Sequence, residues 1–149
     1  MYHAQKDYSL ARQYLGAAVE TNARLGAQAE LVEPYRLLAE IELAEGNTGQ
    51  ALQYAERSLQ LALETGNPEY VGIAQRVRGQ ILARTGLAEE AVAALQSSLD
   101  SLAQAESRLE LAKSHQALGE LLAALVGRDQ EAAAHLARAA EMFDELGAA

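Results

Sequence analysis

The sequence predicts an all-α chain built as a repeated array of antiparallel helix pairs, and three observations carry that expectation. Half of the 149 residues are hydrophobic, yet only 5% are aromatic, with one Phe, no Trp and two prolines. Ala and Leu dominate, and these are the best helix formers, whereas the β-branched and aromatic residues that strands favour are sparse. Next, Ala11, Ala51, Ala91 and Ala132 step by 40, 40 and 41 residues. Four residues after each stand Leu15, Ala55, Leu95 and Leu136; seven after, Ala18, Ser58, Ser98 and Ala139; eight after, Val19, Leu59, Leu99 and Ala140. That spacing marks one face of a helix, written four times. A second stripe lies between these: Ala39, Gly79 and Gly119, followed by Ile41, Ile81 and Leu121. A mid-helix Gly costs ~1 kcal/mol against Ala, so two at one repeat position argue for close packing against a neighbouring helix. Leu38 and Leu118 precede this stripe, and Arg78 is the odd member.

The elements follow in order. Lys6 and Asp7 fall on a turn in this register, so "MYHAQ" reads as the last turn of a helix, and Ser9–Leu25 as the helix that answers it. The next helix should begin around Ala27–Ala29 and kink at Pro34, because an interior proline breaks the ladder; a late start near Glu33 is the other reading. "AEGNTGQ" (Ala44–Gln50), "RTGLAEE" (Arg84–Glu90) and "LVGRDQE" (Leu125–Glu131) are turns within pairs, the third carrying the extra residue. "ETGNPEY" (Glu64–Tyr70) joins one pair to the next, with Asn67 as N-cap and Pro68 in the first helical position. "QAES" (Gln104–Ser107) does the same, with Ser107 as cap and Glu110 completing a capping box. The chain therefore divides into a partial repeat over 1–27 and repeats over 28–67, 68–107 and 108–149: seven full helices in one array.

Composition also bounds function. The net charge of −9 disfavours nucleic acid and anionic membranes, which attract basic surfaces. Cysteine is absent, which removes disulfides and fits a reducing, cytoplasmic setting. No apolar run is long enough to span a bilayer, and the start lacks the apolar core of a signal peptide.

This pattern resembles the tetratricopeptide repeat, in which a small residue on the first helix of each pair meets a small, a large and a small residue on the second. Gly79, Ala91, Leu95 and Ser98 match in one repeat, and Gly119, Ala132, Leu136 and Ala139 in the last. Ala39, Ala51 and Ser58 match in the repeat before, where Ala55 departs from the large position. The family's usual unit is about 34 residues, so a spacing of 40 resembles its longer-repeat branch. The resemblance implies a right-handed α-solenoid whose first helices line a concave binding face. Tyr2 then falls where the family often has Tyr, and both ends look cut. A piece of a longer array is the simplest expectation; a short protein whose bare ends pair with a second copy is the rival.

The stretch Arg108–Ala149 is also similar to the helical arms of large bacterial ATP-dependent LuxR-type and cyclase-linked regulators. The residues are Glu110, Leu111, Ala112, Leu118, Gly119, Leu122, Gly127, Ala132, Leu136, Ala139, Phe143, Leu146, Gly147 and Ala148. In those regulators the arm senses an inducer or partner, and the ATPase and DNA-binding domains lie elsewhere. Neither a GxxxxGK[ST] loop nor a basic recognition helix is present here.

The sequence offers no pattern for catalysis. His3 with Asp7 straddles a turn, Glu131 with His135 is an ordinary helix-surface spacing, and His115 holds a packing position. A metal site needs more ligands than either pair supplies, so no metal, cofactor or enzymatic activity is expected. Glu89 and Glu90 open a helix, where negative charge complements the dipole. That leaves binding. In the register of the resemblance the concave face holds Arg36, Glu40, Arg76, Gln80, Arg84, Lys113, Gln116 and Glu120. Arginine forks suit carboxylates, so an acidic or C-terminal peptide is the expected partner. The same charges would also serve simply to solvate the face, pairing with Glu40 and Glu120. A self-associating scaffold and a small-molecule inducer arm remain open beside the peptide-binding module.

Overall fold

The computed structural model describes residues 2–148, and side chains from residue 7 to residue 147. It is all helical, with no strand among the described residues: α1 (Tyr2–Arg24), a 3₁₀ turn (Ala29–Leu31), α2 (Val32–Ala44), α3 (Thr48–Thr65), α4 (Pro68–Arg84), α5 (Ala88–Ala105), α6 (Arg108–Ala123) and α7 (Asp129–Ala148). None of these helices is long and apolar enough to cross a membrane. The chain divides into two compact units, Met1–Gly66 and Asn67–Ala149. The division falls at the "ETGNPEY" junction, where one helix stops and the next is capped. Gly66 closes α3 in the left-handed region (φ +70°), as glycine does readily. Asn67 Oδ1 then accepts from the Glu69 and Tyr70 amides at 2.9 and 3.3 Å, with Pro68 in the first turn.

In the first unit α1 runs unbroken through Lys6 and Asp7, which corrects the turn expected there. Nothing between His3 and Leu10 interrupts a helix: no Gly or Pro occurs, so the repeat register alone is too weak a reason for a turn. Pro34 also differs from expectation. The chain enters helically through the 3₁₀ turn and becomes α-helical at Val32. Pro34 therefore sits in the first α-turn, where a missing N–H is tolerated, rather than at a kink. Leu15, Leu38 and Ile41 form the core, with Tyr8, Ala11, Val19, Tyr35, Leu37 and Tyr54 packed against it. Leu15 is buried, while Ala18 and Val19 are half-buried. An ion pair supplements this small core. Arg12 reaches from α1 to the buried Glu42 at 2.7 Å and to Glu45 at 2.5 Å, and Asn47 Nδ2 donates to Glu42 at 2.8 Å. Arg12 holds the Glu42 carboxyl below its ordinary range although burial, the larger influence, pushes the other way.

The second unit shows why the glycine stripe exists. A Cβ on Gly79 would lie 2.8 Å from Leu95 Cγ, and one on Gly119 would lie 2.6 Å from Leu136 Cγ and 3.1 Å from the Leu136 backbone nitrogen. Gly72 makes the same kind of contact with Leu102, a third close approach that the repeat spacing does not mark. Val92, Leu95, Leu118, Leu122 and Ala132 form a shared core of α5, α6 and α7. Small hydroxyls tie the pairs together: Ser98 Oγ donates to the Gly72 carbonyl at 2.7 Å. In the first unit Ser58 Oγ donates to the Val32 carbonyl at 2.8 Å, the same bond in the preceding repeat. Ser107 stands at the N-cap of α6 but makes no side-chain cap bond; the expected capping box is not formed, because Glu110 is drawn to another partner. On α7, Phe143 and Leu146 remain 37% and 38% exposed.

Candidate functional site

The proposed binding positions of the second unit lie along α4 (Arg76, Gln80, Arg84) and α6 (Lys113, Gln116, Glu120). The structure gives Arg76 a different task. It is only 6% exposed, and its Nη2 meets Glu110 Oε2 on α6 at 2.7 Å. Its Nη1 donates to the Glu110 carbonyl at 3.1 Å and to Ser114 Oγ at 3.3 Å. Ser98 and Ser114 hydroxyls are 2.8 Å apart. Since Ser98 gives its one proton to the Gly72 carbonyl, Ser114 must donate to Ser98. The result is a directed chain from Arg76 through Ser114 and Ser98 to Gly72, crossing α4, α5 and α6. A buried charge must be paired and hydrogen-bonded, and this network does both, so Arg76 is withdrawn from any partner. The Glu110 carboxyl is held below its ordinary range: burial, the largest influence, raises it, but Arg76 and then Lys113 outweigh that.

The remaining positions are divided. Arg84 is exposed and makes neither an ion pair nor a side-chain hydrogen bond with another described residue. Gln80 is half-buried beside it in sequence register, one turn back on the same helix. Lys113 is exposed and only loosely engaged, 3.4 Å from Glu110. Gln116 Nε2 donates to Glu120 Oε1 at 2.7 Å, so Glu120 is taken up by an amide rather than an arginine. In the first unit Arg36 pairs with Glu40 at 3.1 Å and stands 4.0 Å from Glu33, which satisfies it locally. Of the eight positions, Arg84 and Lys113 are therefore the cations best placed to accept an external carboxylate. Among the described residues no group of three or more metal-ligating side chains converges; His3 lies outside the described side chains.

A histidine pair is the feature that sequence reasoning missed. His115 on α6 and His135 on α7 bring their Nδ1 atoms to 2.9 Å, with rings stacked at a centroid distance of 5.2 Å. Glu131, at helix-surface spacing from His135, is bound by Arg128 at 3.1 and 3.2 Å. The repeat register holds the missing signal. His115 and His135 occupy the positions of Tyr35 and Tyr54, whose rings also meet, at 6.1 Å. At 2.9 Å one Nδ1 carries the proton and the other accepts it. Burial, then the charge of His135 and that of Arg138, push His115 down to about 4; burial also lowers His135, against Glu131. Because the folded value lies below the ordinary 6.5, the unfolded chain binds more protons between the two, and stability rises with pH there. We expect the parent to lose on the order of 1–2 kcal/mol as pH falls from about 6.5 toward about 4, after screening of a half-exposed pair. Urea denaturation at both pH values, repeated on His115→Tyr/His135→Tyr, checks this. An equal acid loss in the variant would show that the histidines do not carry it.

No protein-family model matches the chain, and no curated protein matches it. Among solved structures, the fold is similar to that of BtubC (BKLC) from P. vanneervenii, with a TM-score of 0.77 and 19% sequence identity. The match covers 94% of this chain and 58% of that one, so the chain spans somewhat more than half the length of this neighbour. At that identity the likeness concerns the helical fold.

Proposed function

We propose that the chain is a binding module of the tetratricopeptide kind, a right-handed α-solenoid that takes an acidic peptide or partner segment. It would serve as the sensing arm of a bacterial signalling or transcriptional regulator in the cytoplasm. The observation that supports this reading is Arg84. In a chain of net charge −9, carboxylates are plentiful, yet this exposed guanidinium at the end of α4 is paired with none of the described ones. Lys113 on α6 supplies a second loosely held cation. A fork suited to a carboxylate and a flexible ammonium recognise a chain terminus or acidic side chain well.

The test is fluorescence anisotropy with a library of acidic peptides, each made with a free C-terminal carboxylate and as its amide. At least one free-acid peptide should bind, more weakly at high salt because exposed charges are screened. The variant Arg84→Ala/Lys113→Ala should lose at least tenfold in affinity, about 1.4 kcal/mol, with helicity retained by circular dichroism. If the double variant binds as the parent does, these cations only solvate the face.

A further inference from the structure

The ring-pair register has a gap. Tyr35 with Tyr54 fills it in one repeat, and His115 with His135 in another. The same positions in the repeat between are Gln75 on α4 and Ala94 on α5. Ala94 cannot reach across as a ring does. A cleft of about 240 Å³ opens here, lined by Gln75, Arg78, Glu90, Ala93, Ala94 and Ser97. A second exception coincides with it. Leu38 and Leu118 are buried apolar residues at the position where this repeat has Arg78. Two departures from the repeat thus meet at one place: the missing ring at Ala94 makes it roomier, and Arg78 makes it more polar.

The lining groups are not satisfied by one another. The buried Gln75 Oε1 has no hydrogen-bond partner among the described residues, a condition native interiors rarely leave uncompensated. Arg78 and Glu90 both line the cleft, yet neither forms an ion pair with the other or with any other described group. A guanidinium and a carboxylate that line one cleft without pairing match a ligand that carries both charges. The volume lies below the roughly 300–1,000 Å³ of clefts that enclose drug-sized ligands, so the ligand is small.

We infer that this cleft binds a small zwitterion of the free α-amino acid class. The ligand carboxylate lies on the Arg78 fork, with the Ser97 hydroxyl as a further donor. The ligand ammonium lies toward Glu90. Amino acid binding here is independent of peptide binding at Arg84 and Lys113, neither of which lines the cleft.

Ligand-observed NMR and calorimetry on the whole chain test it, with glycine, L-alanine, L-serine and L-glutamine as probes, each beside its N-acetyl and carboxamide derivatives. At least one free amino acid should bind saturably, and blocking either charged end should weaken binding at least tenfold. Ala94→Tyr restores the ring found at Tyr54 in the repeat over 28–67 and should abolish binding while leaving the melting temperature within a few degrees. Arg78→Leu restores the residue of the other repeats and should also abolish binding. Since both substitutions follow residues the fold already accepts, lost binding with retained helicity supports the cleft. The inference is overturned if no free amino acid binds, if blocked derivatives bind equally, or if Ala94→Tyr leaves binding unchanged.

Discussion

Gly119→Leu is expected to lower the unfolding free energy by about 1–3 kcal/mol or more. The space that a side chain would need is already occupied. Even a bare Cβ would stand 2.6 Å from Leu136 Cγ, 2.7 Å from its Cδ2 and 3.1 Å from the Leu136 backbone nitrogen. The leucine branch could rotate away, but the backbone nitrogen belongs to α7 and moves only if the helix moves. A larger side chain therefore pushes α6 and α7 apart and strips contacts from the Leu118, Leu122 and Ala132 core. Gly16 is the internal control. It lies exposed in α1, and a Cβ added to it would meet nothing within 4 Å. Gly16→Ala should therefore stabilise by about 0.4–1 kcal/mol, through a less flexible unfolded chain. Paired urea titrations read both signs. A Gly119→Leu variant as stable as the parent would mean that α6 and α7 do not cross at this residue.

That contact is legible in the amino-acid sequence, because the two glycines recur at one repeat position inside helices where glycine is otherwise costly. Helix number and the cap at Asn67 are legible for the same reason: periodicity and local chemistry act within a few residues. Expectations fail where register stands in for a partner. Counting along the repeat puts Lys6 and Asp7 on a turn, although no residue there breaks a helix. Ser107 and Glu110 have capping-box spacing, but Glu110 answers a guanidinium 34 residues away, and local spacing says nothing of that competitor. The positions of the candidate site behave likewise. Arg76, Arg84 and Arg36 look alike in sequence, yet one is buried in a network, one is unpaired among the described residues and one is satisfied by Glu40. The stacked histidines become visible when aligned with Tyr35 and Tyr54, since ring positions repeat even when the ring chemistry changes.

Arg76 permits the sharper separation of structure from function. Glu110→Ala should destabilise the chain by about 3–5 kcal/mol, because it leaves a guanidinium only 6% exposed without its counter-charge. The remaining acceptors, the Glu110 carbonyl and Ser114 Oγ, satisfy donors but do not neutralise the charge. Replacing both partners with apolar residues, as in Arg76→Leu/Glu110→Leu, should recover much of the loss, since a buried pair exchanged for packed hydrocarbon is often neutral or better. The sign of the pH effect follows from the same geometry. The folded Glu110 value lies below its ordinary 4.5, so the stabilisation is present above that pH and is lost as pH falls through the folded value. The pair Arg76→Leu/Glu110→Leu should lack this acid loss. Denaturation of the single and double variants above and below about pH 4.5 measures each part. If Glu110→Ala costs under about 1 kcal/mol, the guanidinium escapes to solvent and behaves as a surface charge. It would then rejoin Arg84 and Lys113 as a cation open to an acidic partner.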